Sequence, residues 1–179
     1  MDLTNSPQEI VDVVDENDRV IGKATRGEVD RNPLLIHREI AILIHDDQGK
    51  VFVQQRSKHK QYLPLVWTLS VAGHVPGGVH PAEAAQVELF EELGFRTTLR
   101  YCYKVRISVP TETVFSYLYL GQKPNGAALR LNLDEAEQGR FVSPQELDEM
   151  IESGEDFDAY SLREIKKFFA GELDRSPPP

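Results

Sequence analysis

The sequence predicts an α/β (α+β) fold built as a single domain over residues 1–179, and three observations carry the prediction. Segments rich in β-branched and aromatic residues recur along the chain, each bounded by Gly, Pro, Asn or Asp. One helical pattern, PAEAAQVELFEELG, interrupts them at mid-chain, and two more, SPQELDEMIESG and YSLREIKKFFAGEL, follow them. At 179 residues and 40% hydrophobic, with no internal repeat and no Pro-, Gly- or Ser-rich linker, the chain suits one core rather than two. Residues 1–8 and 174–179, the latter closing on SPPP, are expected as flexible tails.

In chain order, EIVDVVDENDRVIGKAT reads as two short strands around a polar turn at residues 15–18, an N-terminal hairpin. Residues 26–33 are polar and suit a short helix or loop. In HREIAILIHDDQGKVFVQQRS, an apolar run at residues 40–44 and an alternating run at Val51 and Val53 flank a turn, which predicts a second hairpin. The first strand of that pair is expected to be buried on both faces. LPLVWTLSVAG continues as strand to Gly73, and Pro76, Gly77 and Gly78 then force a loop. His80-Pro81 opens the central helix, Glu83 complements its positive end, and Gly94 closes it. TTLRYCYKVRISV and ETVFSYLYLG predict an antiparallel pair, and residues 125–134 a loop or strand edge. Ser143 with Glu146 three residues later marks a helix start, and Gly154 and Gly171 mark stops.

A net charge of −9 and a pI near 5.0 leave no broad basic field to grip a nucleic-acid backbone, so extended nucleic-acid binding is not expected. Neither a signal-like N-terminus nor a membrane-length apolar run is seen, and a cytoplasmic location is expected. Cys102 is the single cysteine, which excludes an internal disulfide and a cysteine-based metal cluster.

The central helix carries Glu88, Glu91 and Glu92. Spacings of three and four residues put all three on one side of a helix, where like charges repel by about 0.2–0.5 kcal/mol per pair. A cation, a basic partner or plain solvation must relieve them. Arg56, Lys58 and Lys60 form a basic cluster after a strand, suited to substrate phosphates or to an ordinary solvated loop. Trp67 reads as core, and Phe168 and Phe169 as the apolar stripe of the last helix or a dimer contact.

The stretch 73–95 resembles the Nudix hydrolase box, G-x5-E-x7-R-E-U-x-E-E-x-G-U with U apolar. Gly73, Glu88, Leu89, Glu91, Glu92, Gly94 and Phe95 fall on box positions without a gap, while Val79 replaces the first Glu and Val87 the Arg. VDENDRVIG, HREIAILI, GKVFVQQRS and LPLVWTLSVAGH look like the branch that includes isopentenyl diphosphate isomerase. The resemblance implies a mixed β-sheet sandwiched between helices, the N-terminal hairpin being extra. It implies Mg²⁺ or Mn²⁺ held by Gly73, Glu88, Glu91 and Glu92, with Glu91 or Glu92 activating water. The implied reaction is hydrolysis of a diphosphate linkage in a nucleoside diphosphate derivative or nucleotide. Arg56, Lys58 and Glu112 are candidate substrate contacts, and a homodimer is a possible assembly.

Two other readings follow from the same resemblance. Isomerases of the branch carry a catalytic Cys directly before the Gly-His pair, and Ala72 stands there; a methyl group moves no proton. Yet His37 and His74 sit where those isomerases place metal-binding histidines, and Glu112 lies near their carboxylates. Val79 and Val87 open the second alternative, an impaired Nudix domain that binds a nucleotide or a protein. Replacing both partners of an ion pair by packed apolar groups is often neutral for the fold.

Overall fold

The computed structural model describes residues 6–60 and 62–173. The N-terminal hairpin forms as expected. Its strands β1 (Ile10–Val14) and β2 (Val20–Thr25) pair antiparallel, and a short helix α1 (Arg26–Val29) follows with a capping box between Thr25 and Glu28. Asp18 sits in the hairpin turn at φ 63° and ties it to the rest of the domain. It accepts from Arg38 Nε at 2.6 Å, from Lys104 Nζ at 2.6 Å and from the Tyr117 hydroxyl.

β3 (His37–His45) lies at the centre, and Ile40, Ala41, Ile42, Leu43 and Ile44 are all buried, as a strand covered on both faces requires. Along one edge it runs parallel to β8 (Thr113–Gln122), which pairs antiparallel with β7 (Leu99–Ser108). Its other edge holds β6 (Val71–His74), in register Ile40 to Gly73 and Glu39 to His74.

The expected hairpin between β3 and β4 (Val51–Arg56) is only partly realised. The turn forms on Asp46, whose Oδ1 accepts from Gln48 and Lys50, but the strands pair only at His45 and Val51 before they diverge. Ser70 shows why. Its buried hydroxyl donates to the Phe52 carbonyl at 2.6 Å and accepts from Ile44 N at 2.8 Å, replacing the ladder with a wedge. The run expected as one strand to Gly73 is broken at the same place into β5 (Trp67–Thr68) and β6, one in each arm of the split sheet. β4 pairs with β5 on one side and β9 (Ala136–Val142) on the other. β9 was not anticipated. AEQGRFV carries charges and a glycine that its sequence does not explain, but Gly139 leaves room for the Phe52 ring.

Helix α2 (Pro81–Leu93) covers one face, burying Ala84, Ala85, Leu89 and Leu93 against Ile40, Ile42, Ile44 and Val71. His80 caps its start by accepting from Ala82 N, and Gly94 closes it at φ 76°. The opposite face packs on α3 (Pro144–Glu152) and α4 (Ala159–Phe169) through Leu147, Met150 and Ile165. Ser143 and Glu146 form the expected capping box, and Gly154 and Gly171 follow the two helices at positive φ. Trp67 is core, and Phe168 and Phe169 pack against that core within the chain. Among the described residues no helix is long and apolar enough to cross a membrane.

Candidate metal and diphosphate site

Residues 73 and 74 are consecutive on β6, so their side-chain positions point to opposite faces of the sheet. Gly73 faces α2, and His74 faces the other way. Each marks one polar cluster.

On the α2 face, Glu88 lies so close over Gly73 that a Cβ there would meet the Glu88 Cδ at 2.5 Å. Only glycine admits the carboxylate at that point. Glu92, one turn further along, is buried and accepts from Gln54 Nε2 at 2.7 Å. Glu91 stands on the exposed side of the same stripe. Burial pushes the Glu88 carboxyl up to about 8, with the charges of Glu91, Glu135 and Glu9 adding to it. Burial and the charge of Glu88 push Glu92 well above the usual carboxylate range, against the Gln54 hydrogen bond. Gln54 Oε1 is buried without a hydrogen-bond partner. Two buried carboxyls and an unpaired amide oxygen are oxygen donors for which a hard divalent cation is the matching ligand.

On the opposite face, the rings of His37 and His74 stack at 4.9 Å between centroids and 4° between planes. His74 Nε2 lies 3.2 Å from Asp30 Oδ1, and His37 Nε2 lies 3.8 Å from Glu112 Oε2. One ligand atom from each of the four residues falls within 4.8 Å of the others. His37 Nε2, His74 Nε2 and Asp30 Oδ1 are buried and lack a hydrogen-bond partner. With Nδ1–H directed to the Leu35 carbonyl at 3.4 Å, His37 turns its Nε2 lone pair into the cluster. Burial, with the charge of His74, lowers His37 to about 4, and burial lowers His74 as well. Burial raises Glu112; at Asp30 burial also raises, but the His74 side chain together with the charges of Arg26 and His37 holds the carboxyl below the ordinary range. Neutral imidazoles and carboxylates in one place fit a transition metal ion.

The sequence-derived candidates therefore separate. Gly73 and Glu88 come together, and Glu91 and Glu92 lie near enough for their charges to act on or with that of Glu88. Glu112, read as a substrate contact, stands at the histidine pair instead. Arg56 donates from Nε to the Tyr62 carbonyl at 3.1 Å, and Lys58 lies 3.8 Å from Glu137 on an exposed loop. Lys60 pairs with Glu135. The valines do not form a sealed apolar pair, since Val79 packs against the core while Val87 is 39% exposed. Asp30, Gln54 and Glu135 were not singled out. Nothing local marks them, because each acquires its role from residues more than 30 positions away.

A split mixed sheet between helices, with an acidic helix reached through a glycine loop, is the architecture of a Nudix-type domain. The NUDIX domain model matches residues 35–165, and the chain belongs to the Nudix family. It is 32% identical over 176 residues to an isopentenyl-diphosphate Delta-isomerase of Serratia proteamaculans, covering 93% of this chain and 95% of that protein. It is 33% identical over 141 residues to an uncharacterised Nudix hydrolase, PA4841, of Pseudomonas aeruginosa, covering 78% and 82%. The crystal structure of DR0079 from Deinococcus radiodurans superposes with a TM-score of 0.75 at 23% identity, over 90% of this chain and 99% of that one. The relatives thus place the chain in the branch that also holds the isomerases.

Proposed function

We propose that this protein is a Mg²⁺- or Mn²⁺-dependent hydrolase of a diphosphate linkage in a nucleoside diphosphate derivative or nucleotide. The observation that carries this reading is the buried Glu88 set over Gly73, with the buried Glu92 one helical turn on and held by Gln54. Two carboxyls in so little solvent are costly as anions, and a divalent cation offsets that cost. Glu88, Glu91 and Glu92 with the Gly73 carbonyl would hold it. Once bound, the cation neutralises diphosphate charge and polarises the phosphoryl oxygens.

The remaining roles belong to the chain. Gln54 fixes one oxygen of Glu92 and leaves the other to turn toward the ligand. Glu91 or Glu92 takes the proton of the attacking water. Arg56 and Lys58 supply the positive charge that the acidic helix lacks toward the far phosphate. The test is a panel of nucleoside di- and triphosphates, nucleotide sugars and dinucleotides with Mg²⁺ or Mn²⁺, scored for phosphate or nucleotide release. Glu92→Gln is expected to keep the fold and lower kcat by at least about 100-fold. Unchanged turnover in that variant would sink the assignment.

One observation favours a second reading. The Asp30, His37, His74 and Glu112 cluster offers metal-type donors on the face where Ala72 also lies, and the Serratia relative is named an isomerase. Ala72 has no group to transfer a proton, which weighs against prenyl diphosphate isomerisation. Isopentenyl diphosphate in the same panel, scored for isomerised product, separates the two.

A further inference from the structure

Residues 75–80 connect β6 to α2 and so set how Gly73 meets Glu88. After Pro76 come Gly77 and Gly78, the latter at φ 80°, two residues with little conformational restraint of their own. The loop's amides are nonetheless all engaged up to the helix cap. Val75 N donates to the Arg38 carbonyl at 3.0 Å, Gly77 N to the Ile10 carbonyl at 2.8 Å, and Val79 N to the Pro76 carbonyl at 3.0 Å. Gly78 N donates to Asp12 Oδ2 at 2.8 Å, the one side-chain acceptor among them.

β1 therefore lies against this loop as an added strand, with an antiparallel bridge between Val11 and Pro76. The fit is close. A Cβ on Gly77 would stand 3.3 Å from both Asp12 Oδ1 and the Ile10 carbonyl. Asp12 is only 7% exposed, and its strand neighbours Val11 and Val13 are anchored in a small core with Val29. The hairpin that supplies these contacts precedes residue 35 and lies outside the span matched by the family model. Val79 and Val87 offer no polar tie between loop and helix.

We propose that Asp12 is a positioning residue for the Glu88–Glu92 site: its carboxylate fastens the loop at Gly78 and thereby holds Gly73 against Glu88. This rests on the metal-site reading above. In this proposal Asp12 acts through the loop, its contacts running to Gly77 and Gly78. A carboxylate accepting a backbone N–H makes a charge-assisted bond, stronger than a neutral one, which suits the single side-chain fastening of a glycine loop.

The test compares the full chain with Asp12→Asn, which keeps an oxygen for Gly78 N–H, and Asp12→Ala, which does not. Three quantities are read: amide hydrogen exchange at Gly78, the Glu92-dependent part of Mn²⁺ binding by calorimetry, and thermal melting. Asp12→Ala is expected to speed Gly78 exchange and to weaken Mn²⁺ binding about tenfold, with Asp12→Asn, a weaker neutral acceptor, falling between Asp12→Ala and wild type in both. Faster exchange with unchanged Mn²⁺ affinity overturns the proposal, as does equal loss of affinity in both variants. Should Asp12→Ala fail to fold, Asp12→Ser, whose hydroxyl is too short to reach Gly78, replaces it. If neither folds while Asp12→Asn does, Asp12 is structural and the proposal falls. Absence of any Glu92-dependent Mn²⁺ binding in the wild-type protein would instead refute the site reading itself.

Discussion

Gly73 and Glu88 show how one missing side chain decides the chemistry at a site. The carboxylate occupies the space where any other residue would put its Cβ. Gly73→Ala is therefore expected to leave the fold intact, displace Glu88 and weaken Mn²⁺ binding about tenfold; calorimetry beside circular dichroism checks both halves. Both residues were legible in the sequence because box spacing fixes them. Gln54 was not, since in VFVQQRS it is one of two adjacent glutamines, and only the fold brings its amide to Glu92. On residue type and position alone, His37 reads more readily as a strand-start histidine with a satisfied hydrogen bond than as a metal ligand. Its stacked partner His74 and its unpaired Nε2 come from packing.

At the level of elements, α2 was readable from end to end. His80 accepts from Ala82 N, Pro81 takes the first turn, and Gly94 adopts the left-handed conformation, all of them local signals. The splitting of β3 from β4 has no local signal, because the decisive atom is the Ser70 hydroxyl, which bonds to Ile44 and Phe52 across 26 and 18 residues. Ser70→Ala would leave the Ile44 amide and the Phe52 carbonyl buried and unpaired. The expected cost is about 2–3 kcal/mol in chemical denaturation, whereas a loss near zero would mean that the strands close into a regular ladder.

Over the whole molecule, buried titratable groups set how stability depends on pH. In the metal-free protein Glu88 holds its proton up to about 8, far above 4.5 for a solvated glutamate, so between those values the folded form binds more protons than the unfolded. That contribution is complete at low pH and is lost as pH rises through 8. His37, lowered from 6.5 to about 4, acts oppositely: its contribution is complete above 6.5 and is lost as pH falls through 4. Above pH 6.5 the carboxyl effect stands alone, and Glu39, raised to about 7 chiefly by burial, has the same sign. The melting temperature in EDTA should therefore fall from pH 6.5 to 8, and saturating Mg²⁺ should reduce that fall to the part Glu39 contributes, because cation binding displaces the Glu88 proton. A flat profile in EDTA would contradict the buried-carboxyl picture.

By itself the sequence determined the α/β class, the N-terminal hairpin, the limits of α2 and the spacing of Gly73, Glu88, Glu91 and Glu92, because turns, caps and helical period act over a few residues. Tertiary structure alone decided that the sheet divides at Ser70 and that Gln54 attends Glu92. It also decided that Asp30 joins His37, His74 and Glu112, the three that the resemblance had already grouped, and that β1 lies against the loop before α2. Those outcomes depend on which distant strands share a register, and register is settled by burying both faces of β3 at once.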